Sequence, residues 1–186
     1  MTPRRVSQGQ AVREIGDAAA ARPDETVWIG VDGPGGSGKS TFAARIAAAI
    51  DRAVVVAVDD FSGPDVQQWD WTRLHRQVVA PVLSGRPGRY QRWDWSADAP
   101  AEWHDVPVGS VIVIEGVSAT RSEARVPWTL QVWVDTPRAT RHERALARDG
   151  AEMMAQWHAH WIPSEEAYIE RERPLERVDL VVSGTE

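Results

Sequence analysis

A chain of 186 residues with 42% hydrophobic content buries about 70% of its unfolded surface, so its core needs neither disulfides nor a structural metal, and its length predicts one domain spanning 1–186. Its 21 basic and 27 acidic residues give a net charge of −6, which argues against a general nucleic-acid or anionic-membrane surface. The absence of cysteine excludes thiolate zinc sites and a cysteine nucleophile. Arg13, Glu14 and Asp17 interrupt any apolar stretch behind Arg4-Arg5, and no run reaches membrane-spanning length, so a soluble, cytoplasmic protein is expected. Among the 21 basic residues the one lysine is Lys39.

Taken in chain order, residues 7–21 are alanine-rich and end before Pro23, predicting a leading helix. Val27–Asp32 is a short apolar run of strand length, followed by a glycine cluster and a helix over 40–50. Ala53–Val58, Val111–Ile114, Leu130–Val134 and Val178–Val182 are four more such runs. Five buried strands alternating with helices imply a mostly parallel five-stranded α/β sheet covered on both faces. Between the second and third runs, 61–109 is polar and tryptophan-rich, with a helix over 72–79 before Pro81, and is read as a substrate lobe. Helices are expected over 138–148 and over 151–168, the second interrupted near Pro163.

The segment Gly33-Pro34-Gly35-Gly36-Ser37-Gly38-Lys39-Ser40 fits GxxxxGK[ST] at every fixed position, between a predicted strand and a predicted helix. Glycines let several N–H groups face one point, and the helix N-terminus adds partial positive charge there. Gly33, Gly35, Gly36, Ser37, Gly38, Lys39, Ser40 and Thr41 are therefore candidate contacts for the polyphosphate of ATP. Lys39 would reach the β and γ phosphates, and the Ser40 hydroxyl would join the shell of a magnesium ion. The plainer alternative is a glycine-rich turn that happens to precede a helix.

In open α/β sheets, ligands meet the carboxyl ends of the strands. Asp59 and Asp60 follow one apolar run, Glu115 and Gly116 follow another, and Asp135 ends a third. Asp59 is the candidate for taking the proton of an acceptor hydroxyl, and Glu115 for serving magnesium; each has the alternative of a turn or helix cap.

These residues together resemble the uridine kinase-like branch of P-loop kinases, which includes phosphoribulokinase and one class of pantothenate kinase. Asp59-Asp60-Phe61 is similar to the Asp-x-Phe-Tyr segment of that branch, Ile114-Glu115-Gly116-Val117 to its Phe-Glu-Gly-Ile, and Trp69-Asp70 to its Phe-Asp acceptor pair. Val134-Asp135-Thr136, followed by Arg141, Arg144, Arg148 and Asp149, is similar to its Val-Asp-Thr stretch and arginine-bearing lid helix. The resemblance implies a P-loop NTPase fold with a lid over 138–165, Asp59 as catalytic base, Lys39 and Arg148 on the transferring phosphoryl group, and Arg144 on the nucleotide. Ser40 and Glu115 would serve magnesium. It implies an ATP- and Mg²⁺-dependent kinase for a small hydroxylated acceptor, a nucleoside such as uridine or cytidine first, with a nucleoside monophosphate or another metabolite as alternatives. Ser62 replaces the tyrosine of Asp-x-Phe-Tyr, Ala145 replaces the second arginine of a family doublet, and no histidine follows Trp93-Asp94-Trp95.

Five of the ten tryptophans, Trp69, Trp71, Trp93, Trp95 and Trp103, fall in 61–109. In extended chain a Trp-Asp-Trp segment would place both rings on one side and the carboxylate on the other. Trp69, Asp70, Tyr90, Arg92 and Trp93 are the candidate acceptor contacts, with Arg89 and Arg92 available for an anionic part; the plainer alternative is that the rings build the core of the lobe. A non-catalytic module that binds ATP to order its lid is the reading from another class. The five histidines have no metal-ligand spacing.

Overall fold

The computed structural model describes residues 2–63 and 69–186. The chain opens with β1 (Arg4–Val6) and α1 (Gln8–Ala20), whose N-cap Ser7 accepts a hydrogen bond from Gln10 N–H at 3.1 Å. Ala11, Ile15 and Ala19, four apart, form the buried stripe of α1. Next come β2 (Val27–Asp32), α2 (Lys39–Ala49) and β3 (Ala53–Ala57), which runs into a 3₁₀ turn at Val58–Phe61. After α3 (Trp71–Leu74), a π turn (His75–Val79) and α4 (Ala80–Leu83), the chain forms an antiparallel hairpin of β4 (Gly88–Asp94) and β5 (Ala99–Val106). Then follow β6 (Val111–Glu115), β7 (Leu130–Asp135), α5 (Arg138–Gln156), a second π turn (Trp157–Trp161), α6 (Ile162–Glu172) and β8 (Leu180–Ser183).

The main sheet has six strands rather than the expected five, in the order β1-β8-β7-β2-β6-β3, and every pairing in it is parallel. The extra strand, β1, carries two exposed arginines on an edge and pairs only with β8, so it lacks the apolar run that marks an interior strand. β2 is buried at all six positions. Val27, Ile29 and Val31 pack with α1 and α2 on one face, where Phe42, Ala43 and Ile46 complete the core. On the other face Trp28, Ile112 and Ile114 meet Leu74, Val78, Val79, Val82 and Tyr90. The 61–109 insertion is thus fastened to the sheet through one apolar layer.

The helix expected to stop at about Val79 runs on past Pro81 to Leu83, while the interruption expected near Pro163 is present. A five-residue π turn precedes each proline: Ala80 N–H bonds the His75 carbonyl before Pro81, and Ile162 N–H bonds the Trp157 carbonyl before Pro163. Widening by one residue makes room for a ring that lacks an N–H and would clash with the preceding turn. A further break, within α5, falls at Gly150, with φ 79° and ψ 168°.

Candidate active site

Five strands of the main sheet deliver their C-terminal ends to the region of the phosphate loop. Gly38, with φ 97°, is the N-cap of α2 and takes a left-handed conformation that a side chain would strain. Helix α2 therefore starts at Lys39, and the first-turn amides of Lys39, Ser40 and Thr41 have no intrahelical acceptor. Lys39 is buried and donates from Nζ to the Pro34 carbonyl at 2.9 Å. Burial pushes its pKa down, opposed by the charges of Glu115, Asp32, Asp59 and Glu165. Ser40 Oγ donates to Glu115 Oε1 at 2.9 Å.

Glu115, at the end of β6, is buried, and burial raises its pKa against the pull of Lys39 and Ser40. Gly116 lets Val58 close in: a Cβ there would lie 2.0 Å from Val58 Cγ2. The 3₁₀ turn that continues β3 carries both aspartates. Burial raises the pKa of Asp59, opposed by Lys39 and Arg148. Asp60 is also raised by burial, opposed by the Tyr90 hydroxyl, which donates to Asp60 Oδ2 at 3.0 Å. Lys39, Ser40, Asp59 and Glu115, drawn from three parts of the chain, thus share one electrostatic neighbourhood. Asp135 is apart from them, on the side of the sheet where it pairs with Arg5 at 2.9 Å.

Two groups that sequence reasoning passed over brace the loop. Asp32, the last residue of β2, is fully buried and accepts from Gly33 N–H at 2.7 Å, Thr120 N–H at 2.9 Å, Thr120 Oγ1 at 2.7 Å and the Tyr168 hydroxyl at 2.6 Å. A carboxylate inside an apolar run, directly before the glycines, was the available signal. Glu165 of α6 is buried, accepts from Gly35 N–H at 2.6 Å and pairs with Arg141 at 3.1 Å. Its partner lies 130 positions away in sequence, so no local pattern marks it. The Trp157 ring covers the same glycine: a Cβ on Gly35 would lie 2.4 Å from it. A cavity of about 100 Å³ lies behind this contact, between α5 and α6, lined by Arg138, His142, Met154 and Ile169 among others.

The arginines of α5 are placed along the loop. Arg141 reaches the carbonyls of Thr136 and Gly35, and Arg144 reaches those of Gly184 at 3.0 Å and Gly36 at 3.4 Å. Arg148 makes two bonds to Asp149, at 2.7 and 2.9 Å, lies 5.8 Å from the Trp157 ring centroid and feels the charge of Asp59.

The sequence-predicted acceptor residues are only partly brought together. Asp70 caps α3, accepting from Arg73 N–H at 2.8 Å, with half-buried Trp69 beside it. Tyr90 is buried between Phe61 and His104. Arg92 pairs with Asp94 at 3.0 Å and Glu102 at 2.7 Å, and Arg89 pairs with Asp105 at 3.4 Å. The Trp-Asp-Trp geometry is corrected. Trp93 is buried within β4, whereas Trp95 lies past the strand end, 52% exposed, donating to the Asp59 carbonyl at 3.1 Å. Asp94 accepts from the N–H groups of Ser96 and Ala97, and this turn rotates the second ring away from the first.

No protein-family profile matches the chain. Uridine-cytidine kinase C of Dictyostelium discoideum is 23% identical over 126 residues, covering 62% of this chain, which spans 28% of the length of that relative. A solved structure from Bacillus stearothermophilus, described as a possible uridine kinase, superposes with a TM-score of 0.65 at 21% identity, over 93% of this chain and 99% of that one. The fold is that of the uridine kinase-like branch of P-loop kinases. A protein of Silicibacter sp. TM1040 named as a candidate fructose transport system kinase shares the fold, with a TM-score of 0.62, 19% identity and coverage of 95% and 98%. Both superpositions thus extend over nearly the whole chain.

Proposed function

We propose that the chain is an ATP- and magnesium-dependent kinase that moves the γ-phosphoryl group onto the hydroxyl of a small metabolite. The observation that carries this reading is the convergence of Lys39, the Ser40–Glu115 pair and Asp59 on one phosphate loop. Phosphoryl transfer is mostly positioning and charge neutralisation, which these groups supply. The acceptor oxygen forms a bond to the γ-phosphorus, the bond from that phosphorus to the β–γ bridging oxygen breaks, ADP leaves, and the hydroxyl proton passes to Asp59. Arg148 neutralises charge on the transferring group, Arg144 steadies the loop through its carbonyls, and the first-turn amides of α2 hold the phosphates.

The donor set fits magnesium. Ser40 and Glu115 offer two oxygens, and no group of three or more His, Asp or Glu capable of holding a metal exists among the described residues. A cation that takes one or two protein ligands and fills its shell with phosphates and waters suits that pair. Magnesium would supply charge neutralisation between the phosphates.

The insertion 61–109 serves as acceptor lobe and 138–165 as lid, with Asp70, Trp69, Tyr90 and Trp93 shaping the acceptor side. Uridine and cytidine, the acceptors named for the relative, head the candidates; Ser62 and Ala145 remove two groups that resemble nucleoside contacts, so other hydroxylated metabolites belong in the same test. Incubation with magnesium and γ-labelled ATP against nucleosides, nucleotides, sugars and vitamins, with Lys39→Ala as control, is expected to place label on an acceptor hydroxyl. ATP binding without any labelled product would replace this reading with a nucleotide-dependent binding module.

A further inference from the structure

Seven buried side-chain polar atoms lack a hydrogen-bond partner among the described residues. Three are oxygens, of Ser37, Gln77 and Gln131, and four are N–H donors: Trp69 Nε1, Trp71 Nε1, Arg73 Nε and Arg121 Nε. The four donors belong to one patch. Trp69, Trp71 and Arg73 fall within five residues around the start of α3, and Arg121, a buried residue, stacks its guanidinium 5.1 Å from the Trp71 ring centroid. Arg73 ties the patch to the candidate transfer site: its Nη2 donates to the Asp60 carbonyl, and its guanidinium lies over Phe61 at 5.2 Å.

A buried donor without a partner is costly, more so when charged, so four together call for an occupant. Each is a donor only, and indole and guanidinium accept nothing. A neutral polyol or a base edge would bring donors of its own and need acceptors in return. A carboxylate or phosphate brings acceptors only. The charges agree: Arg73 has no ion-pair partner among the described residues, and Arg121 has only Glu123, at 3.2 Å, whose side chain is 67% exposed. Arg89 and Arg92, the arginines that the sequence offers for this purpose, already have carboxylate partners.

We infer that Arg73, Arg121 and the indole N–H groups of Trp69 and Trp71 form an oxyanion subsite, so that the acceptor carries a carboxylate or a phosphate in addition to the hydroxyl that receives the phosphoryl group. The statement about the acceptor rests on the kinase reading; the subsite itself does not. The test begins with the whole chain saturated with ADP and magnesium, which occupies the phosphate loop. Acetate and inorganic phosphate are titrated separately while tryptophan emission is followed. A saturable change with one of them is expected, and which one responds distinguishes carboxylate from phosphate. Arg73→Gln and Arg121→Gln each raise its dissociation constant about tenfold or more, Arg73→Lys recovers most of the loss, and thermal unfolding of every variant verifies folding. No saturable change with either anion, or one that both glutamine variants leave intact, overturns the subsite.

The second arm uses acceptors in matched pairs, each alcohol against the same scaffold bearing a carboxylate or phosphate. The anionic member is expected to win by about tenfold or more in kcat/KM, with Arg73→Gln erasing the advantage. Equal rates for both members refute the acceptor assignment. Saturable anion binding with no phosphorylated product anywhere leaves the subsite standing and refutes the kinase reading.

Discussion

The two sides of the candidate site are built by different means. On the nucleotide side, backbone does the positioning: the loop between β2 and α2 turns at Gly38, and buried side chains brace it from behind, Asp32 through Thr120 and Tyr168, and Glu165 through Arg141. On the acceptor side, side chains do it, from a short helix and a hairpin whose arginines are either paired with carboxylates or left with unfilled N–H groups. A backbone device needs particular residue types at fixed spacing, whereas a side-chain device needs only that distant residues meet. The first leaves a sequence signature and the second does not.

The largest effect expected from breaking the nucleotide side is Lys39→Ala, which removes the buried cation among Glu115, Asp32, Asp59 and Glu165. Loss of phosphoryl transfer by about 10³-fold or more is expected, together with weakened ATP binding, measured by label transfer and calorimetry. Glu165→Ala follows. It removes the ion-pair partner of Arg141 and the acceptor of the Gly35 N–H, and should cost about 2 kcal/mol, or about 4–8 °C in thermal unfolding. An unchanged melting temperature would show that α6 does not brace the loop.

Stability should move the other way when a carboxyl is neutralised. Burial raises Glu115, so the folded chain holds its proton to higher pH than the unfolded chain does. That part of the stability is full below the ordinary carboxyl range and is lost as pH rises through the folded value. Without ligands, Glu115→Gln should therefore melt about 2–4 °C higher than the parent at neutral pH, the gap closing on acidification, while transfer is weakened. An equal gap at every pH would remove burial as its cause. The smallest effect sharpens the acceptor side: Arg92→Ala, cutting an exposed contact to Asp94 and Glu102, should leave the acceptor KM within about twofold.

Much of the nucleotide side was legible because its physics is local. Strand β2, the glycine loop and α2 are contiguous, and Asp59 and Glu115 announce themselves as the first carboxyls after apolar runs. Strand β1 escaped because an edge strand of three residues, two of them arginine, carries no apolar pattern. The β4–β5 hairpin escaped because its connection has no Asn-Gly or Asp-Gly signal, and Asp94 makes the turn instead. Pro81 misled because a π turn keeps its helix running to Leu83. Arg73 and Arg121 look like any other arginine in a chain whose cations are nearly all arginine; only the stacking on Trp71 and the unfilled N–H groups single them out.

The account stands on Asp59 as the group that receives the acceptor proton. A single-turnover experiment with γ-labelled ATP, magnesium and the best acceptor, comparing the parent with Asp59→Asn, tests it most directly. The parent should transfer label with a rate that rises with pH through a value above the ordinary 3.8 of an aspartate, while Asp59→Asn should bind ATP with nearly unchanged affinity and transfer about 10²–10⁴-fold more slowly. Transfer by Asp59→Asn at the parent rate would contradict the account.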